Sequence, residues 1–337
     1  MSFEKYWAVG SALAVTLALS AACSSPTTPT PPPPPPPPVA APPTLTCAEE
    51  GVSRATVNAS GMAVSFDTPP VKDGQGSVSV ECAPSSGETF PIGTTEVKCT
   101  ATDSLNRKGE CSFNVTVSKL AQLSKTRYLA FGDSITAGEV TFPVGSLSHG
   151  AGTITKQVVV PSAAYPTVLL KTLQGRYASQ ADAMVVANYG LGGERTVNAR
   201  DRYFQALNIV RPEVVLLMHG HNDIPAGENG AASGAASEID IMAAEAARRG
   251  MRVFLATLCP PRPGGNKAIG QIYLDDYNNR MRVVASRQGA VLVDIYAALL
   301  PEVTRYIGVD GLHPNEAGYA KIADVFFQAI QANLEVR

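Results

Sequence analysis

Tyr128-Leu129-Ala130-Phe131-Gly132-Asp133-Ser134-Ile135-Thr136-Ala137-Gly138 is the stretch from which the architecture can be read. A short apolar run, too brief for a helix, breaks at a glycine and leads into an acid and a hydroxyl where a helix would begin. Four more runs of this kind follow, at Met184–Ala187, Val214–Met218, Val253–Ala256 and Val291–Val293. Helix-like stretches separate them, near Tyr165–Leu173, Thr196–Leu207, Ala235–Arg249 and Tyr273–Arg287, with a last one from Asn315 to about Asn333. Strands alternating with helices predict an α/β fold, a three-layer α/β/α sandwich around a five-stranded parallel sheet. In such folds ligands bind beyond the carboxyl ends of the strands, so the residues after each run are the candidate site.

Four such positions carry chemistry. Gly132-Asp133-Ser134 places a hydroxyl at a helix start, where by itself it reads as a cap. After the second run, Asn188-Tyr189-Gly190-Leu191-Gly192-Gly193-Glu194-Arg195-Thr196 is a glycine-rich loop opening a helix, with backbone N–H groups free to bind an anion. After the third, Gly220-His221-Asn222-Asp223 puts an amide at the same rim, either as an oxyanion donor or as a turn residue. Near the C-terminus, Asp310-Gly311-Leu312-His313-Pro314 sets a carboxylate three residues before a histidine, close enough to orient an imidazole nitrogen. Of the four histidines, at 149, 219, 221 and 313, His313 alone has a pre-spaced acid. His219 and His221 share a face but lack a third ligand at zinc-like spacing, so they are read as cleft lining or hydrogen-bonding partners, with no metal expected.

In this order the blocks resemble the SGNH hydrolases, also called GDSL esterases and lipases, over roughly residues 125 to 337. The resemblance implies that Ser134 is the nucleophile, His313 the base and Asp310 its carboxylate. It also implies that the N–H groups of Ser134 and Gly193 and the Asn222 amide are the oxyanion donors, with Gly190 or Gly192 as alternatives to Gly193. No Gly-x-Ser-x-Gly elbow occurs, which separates the chain from the classical α/β-hydrolases. The implied function is an esterase working through an acyl-serine intermediate, without a cofactor. Asp133 is expected to order the nucleophile turn. The insertion from Glu139 to Ala164 is expected to edge the acyl pocket. The substrate is an acyl or acetyl ester, on carbohydrate or lipid. The alternatives are a lipase or lysophospholipase, and a non-catalytic surface adhesin on a degenerate hydrolase fold, against which the intact Ser–Asp–His set argues.

Outside this region the chain changes character. At roughly 150 residues per domain, 337 residues suggest two units. With 45% hydrophobic and 17% charged residues the chain can build a core, and a net charge of -2 argues against nucleic acid as a partner. Residues 45–119 alternate apolar and polar positions, as in Ser112-Phe113-Asn114-Val115-Thr116-Val117, and predict a small antiparallel β-sandwich. Cys47, Cys82, Cys99 and Cys111 cluster there, which suggests disulfides and an oxidising compartment. Three pairings are open, and Cys47–Cys111 with Cys82–Cys99 is preferred because first and last strands of such sandwiches often run side by side. Cys82-Ala83-Pro84-Ser85-Ser86-Gly87, Phe90-Pro91-Ile92-Gly93 and Cys99-Thr100-Ala101-Thr102-Asp103 resemble the hyalin repeat, an adhesion module, which implies an immunoglobulin-like β-sandwich. That resemblance implies a carbohydrate or protein ligand, or a rigid stalk.

Residues 1–22 read as a signal peptide, with an uncharged stretch from Trp7 to Ala22 after Lys5. Leu19-Ser20-Ala21-Ala22-Cys23 resembles a lipobox, with Ser20 where leucine is usual, and implies lipidation of Cys23 and a membrane anchor. Residues 23–44 are a linker, with 12 of the 26 prolines between Pro26 and Pro43. In polyproline II geometry it would span about 55 Å. A cell-envelope lipoprotein is expected, otherwise a secreted or periplasmic protein.

Overall fold

The computed structural model describes residues 38–146, 153–224, 230–267 and 269–336. The expected signal peptide, Cys23, most of the proline run and His149 lie outside the described residues.

The N-terminal unit is built from β1 (Thr44–Leu45), β2 (Val52–Thr56), β3 (Met62–Ala63), β4 (Val71–Lys72), β5 (Ser79–Ala83), β6 (Thr89–Phe90), β7 (Gly93–Thr102) and β8 (Lys108–Lys119). Its main sheet has the order β2-β8-β7-β5, and the pairs β1–β4 and β3–β6 supply the rest. The β7–β8 hairpin turns on Asp103, whose carboxylate accepts from the N–H groups of Leu105 at 2.9 Å and Arg107 at 3.0 Å. The alternation seen in sequence is the buried face: Val97, Cys99, Phe113, Val115 and Val117 close over Val64 and Phe90. Disulfides join Cys47 to Cys111 and Cys82 to Cys99, and Cys259 is free and buried. One expectation is corrected here. β2 joins β8 in parallel, so the sheet is mixed rather than antiparallel. Period-two alternation reports which face is buried and says nothing of strand direction.

The second unit holds a parallel sheet of β9 (Arg127–Gly132), β12 (Val185–Gly190), β13 (Val214–Met218), β14 (Arg252–Ala256) and β15 (Val291–Val293), in the order β12-β9-β13-β14-β15. All five residues of β13 are buried, as a strand covered on both faces must be. Neighbouring residues feed opposite cores. Tyr128 and Ala130 pack with α2 (Tyr165–Arg176) and α8 (Glu316–Leu334), where the ring of Tyr165 stacks on Phe326 at 5.1 Å. Leu129 and Phe131 pack with α3 (Thr196–Val210), α4 (Ala231–Arg248) and α5 (Gln271–Gln288). Leu123, ahead of the expected start at 125, is buried in the first of these cores and bridges Glu335. Helices α6 (Ile295–Leu299) and α7 (Val303–Tyr306) lead to the last loop before α8.

Sheet order decides where the site can form. The chain leaves β9 for β12 on one side, then returns to β13 on the other side of β9. The loops after β12 and β13 therefore part above the end of β9, the crevice where doubly wound sheets bind ligands. Between β9 and α2 the chain makes α1 (Ser134–Ala137) and a hairpin of β10 (Glu139–Ser146) and β11 (Thr153–Val159), paired from Glu139↔Val159 to Ser146↔Thr153.

Candidate active site

β9 ends at Gly132, where a Cβ would lie 2.0 Å from the Met218 carbonyl oxygen and 2.2 Å from Thr136 Oγ1, so only glycine lets the strand turn this tightly against β13. Asp133 is the N-cap of α1, with Oδ1 accepting the Ile135 N–H at 3.1 Å. Its Oδ2 accepts the N–H groups of Gly220 at 3.3 Å and His221 at 3.1 Å, and the His221 ring Nδ1 at 3.1 Å. Because His221 Nε2 accepts the Cys259 N–H at 3.2 Å, the ring proton sits on Nδ1. One buried carboxylate thus ties the end of β9 to the loops after β13 and β14. Burial alone would raise the Asp133 carboxyl, but His221, His219 and the Ile135 N–H outweigh it and hold the group well below the usual carboxylate range.

Ser134 opens α1, 2% exposed. Its Oγ lies 2.9 Å from His313 Nε2, and His313 Nδ1 donates to Asp310 Oδ2 at 2.6 Å. The loop that presents the histidine is folded around its own acid: Asp310 Oδ1 accepts the N–H groups of Leu312 and His313, each at 3.1 Å. Gly311 makes the turn at φ 85°, and the Gly308 N–H closes it on the His313 carbonyl at 2.8 Å. Asn315 then caps α8 by accepting the Gly318 N–H at 3.0 Å. Burial pushes the Asp310 carboxyl up, yet the His313 ring and the two N–H groups hold it below its ordinary value, so it is an anion facing the imidazole.

The glycine-rich loop divides its labour. The Gly190 N–H is taken by Asn188 Oδ1 at 2.9 Å, and a Cβ there would meet Ala137 N at 2.0 Å. A Cβ on Gly192 would meet Glu139 Oε1 at 2.0 Å. Gly193, at φ 74°, faces open space. Among the described residues no group accepts from the N–H of Gly193 or of Ser134. Asn222 Nδ2 donates one hydrogen to the Glu194 carbonyl at 2.9 Å, leaving its second hydrogen uncommitted. Asp223, next to it, caps α3 by accepting the N–H and Oγ1–H of Thr196, both at 3.0 Å.

Beneath the loop lies a network absent from the sequence reading. Arg202 forms a two-pronged pair with Glu194, donates to the Tyr189 carbonyl at 2.7 Å and lies over the Phe131 ring at 4.1 Å. His219 Nε2 reaches Glu194 Oε2 at 3.1 Å. Both histidines near the strand end are therefore committed to carboxylates. Among the described residues no group of three or more His, Cys, Asp or Glu side chains is placed to hold a metal ion. Three further residues at the site were also missed: Glu139, with Oε2 3.9 Å from His313 Nε2, Gln157, with Nε2 3.3 Å from it, and Lys267, which donates to Gln157 Oε1. They come from the hairpin and from the loop after β14, and no local motif marks them.

Residues 130–321 match the GDSL-like lipase/acylhydrolase family and residues 40–117 the HYR domain. No curated protein matches the chain. Similar solved structures include a lipase/acylhydrolase from Enterococcus faecalis, 21% identical, covering 62% of this chain and 97% of that one, TM-score 0.49. An α/β hydrolase from the metagenome of Lake Arreo, Spain, is 22% identical over 62% of this chain and 95% of its own, TM-score 0.49. An acetylxylan esterase from Geobacillus stearothermophilus is 20% identical over 62% and 94%, TM-score 0.46. The α/β unit, with Ser134 above the end of its second strand in sheet order, carries the matched segment: the chain belongs to the GDSL-like lipase/acylhydrolase family and is a hydrolase of ester bonds.

Proposed function

We propose that the chain is an exported serine esterase that hydrolyses carboxylic esters through an acyl-serine intermediate. The observation that carries this is the continuous relay Ser134 Oγ, His313 Nε2, His313 Nδ1, Asp310 Oδ2, at 2.9 and 2.6 Å. Ser134 Oγ attacks the ester carbonyl as its proton passes to His313 Nε2, and Asp310 stabilises the imidazolium. The oxyanion is met by the N–H groups of Ser134 and Gly193 and by the second hydrogen of Asn222 Nδ2, a reading supported by their lack of other acceptors among the described residues. The imidazolium gives its proton to the departing alcohol. Water then enters, loses a proton to Nε2, attacks the acyl-serine, and the acid leaves as Ser134 recovers its proton.

The disulfides of the N-terminal unit suit an oxidising compartment. In this reading Cys23 carries lipid, residues 23–44 act as spacer, residues 45–119 bind a surface ligand, and the α/β unit acts on acyl or acetyl esters of carbohydrate or lipid nearby. No helix among the described residues is long and apolar enough to cross a membrane. An alkyl phosphonate ester should label the protein once, at Ser134, as located by peptide mass spectrometry. Folded protein that hydrolyses an ester yet is labelled elsewhere overturns the assignment.

A further inference from the structure

The β10–β11 hairpin turns one face toward the histidine loop. Its pairing of Glu139 with Val159 and of Thr141 with Gln157 puts Glu139 and Gln157 on that face, while Phe142 and Lys156 share the other. Gln157 Nε2 lies 3.3 Å from His313 Nε2, and Gln157 Oε1 accepts from Lys267 Nζ. Both ends of the carboxamide are chemically determined. An ammonium can only donate, and a neutral imidazole whose Nδ1–H is given to Asp310 can only accept at Nε2. The amide must therefore present its oxygen to Lys267 and its NH₂ to the ring. The lone pair of Nε2 then faces two donors, Ser134 Oγ–H at 2.9 Å and the Gln157 amide.

We propose that Gln157, held in one orientation by Lys267, is a positioning residue that favours the neutral, proton-accepting form of His313. When Nε2 gains a proton it becomes a donor pointed at an NH₂. Relief requires the carboxamide to turn over, which would set its NH₂ against the Lys267 ammonium. The ring is thereby kept available as a base at lower pH. Around it, Asp310 at Nδ1, Glu139 at 3.9 Å from Nε2 and Asp133 behind the nucleophile turn all favour the imidazolium, and Lys267 is the cation on the hairpin side. Arg262 is turned to the Ile307 carbonyl at 3.1 Å, the pairs of Arg202 and His219 with Glu194 lie under the glycine loop, and His221 is bonded to Asp133. The Gln157 amide, held by Lys267, thus opposes carboxylates on three sides.

This inference rests on His313 being the base, and the test separates the two. The pH profile of kcat/KM on a short soluble ester is measured for the parent, Gln157→Leu, Lys267→Met and the double variant, all shown to be folded. Each single change should move the midpoint of the acid limb up by about half a pH unit, and Lys267→Met should add nothing once Gln157 is leucine. An unmoved midpoint overturns the proposal. So does a Lys267→Met shift that persists in the Gln157→Leu background, since the ammonium would then act through space and not by holding the amide. NMR titration of the His313 ring in the same proteins reads the shift without substrate. A parent that hydrolyses no ester would sink the esterase reading while the ring titration still decides this one.

Discussion

Ser134 and His313 touch at 2.9 Å and neither supports the core alone, so their removal should separate chemistry from folding. Ser134→Ala and His313→Ala are each expected to lower kcat on a soluble ester by about 10⁴-fold or more, with unchanged circular dichroism. Folded variants at the parent rate would remove the assigned roles. Acid behaviour follows from the buried carboxylates. Asp133 and Asp310 are held below the ordinary value of 3.8, so the stability they lend is whole at neutral pH. It begins to fall near pH 4, as unfolded carboxylates protonate, and is lost as pH drops through the folded values (about pH 4 being the ordinary carboxylate range). Urea midpoints between pH 7 and pH 3 should therefore fall steeply for the parent and more shallowly for Asp133→Asn. Equal slopes would mean that Asp133 is not a stabilising anion. Asp133 was legible in sequence as the residue that orders the nucleophile turn, and its Oδ1 accepts the Ile135 N–H there. Its hold on His221, 88 residues away, was not, because that bond exists only when β9 and β13 lie side by side.

At the scale of elements, the nucleophile helix is placed by contact as much as by its caps. Gly190 ends β12 against α1, where a methyl group would sit 2.0 Å from Ala137 N and 2.5 Å from the Thr136 carbonyl carbon. Backbone cannot yield as a side chain can, so Gly190→Ala should destabilise the protein by about 1–3 kcal/mol and displace Ser134 from His313. Denaturant unfolding and kcat measured together check this, and a fully active, equally stable variant would show that α1 tolerates a shift. The five parallel strands and the helices between them follow from short β-branched runs and helical periodicity, and their bounds in sequence agree with the structure to within a few residues. The exceptions were the parallel β2–β8 pair and the reach of the β10–β11 hairpin, where pairing depends on what lies alongside.

For the whole molecule the proposal divides reach from reaction. A segment from residue 120 to the C-terminus retains Leu123, which the α/β core buries, and every residue given a role in chemistry. It should keep the kcat of the longer protein on a soluble ester while losing activity on an insoluble or surface-bound substrate, because a tether and a binding unit change effective concentration and leave local geometry alone. A folded segment with a much lower kcat would mean that the N-terminal unit completes the site. Anchoring is tested separately: the mature N-terminus in membrane extracts should be Cys23 bearing lipid by mass spectrometry, and an unmodified thiol or another start would exclude it.

Short stretches of the chain were enough for the fold class, the blocks in which the candidate site residues lie and the resemblance to an esterase family. Those signals are local, carried by runs of a few residues, turn glycines and a carboxylate three places before a histidine. Tertiary structure alone decided how the blocks meet. The order β12-β9-β13 opens a crevice above Ser134, the free N–H of Gly193 is distinguished from that of Gly190, and Glu139 and Gln157 are brought to one nitrogen of His313, with Lys267 on the far end of the Gln157 amide. Such contacts join residues 156 positions apart and more. No periodicity or motif encodes them, because they are made by packing whole elements together and not by any one stretch of chain.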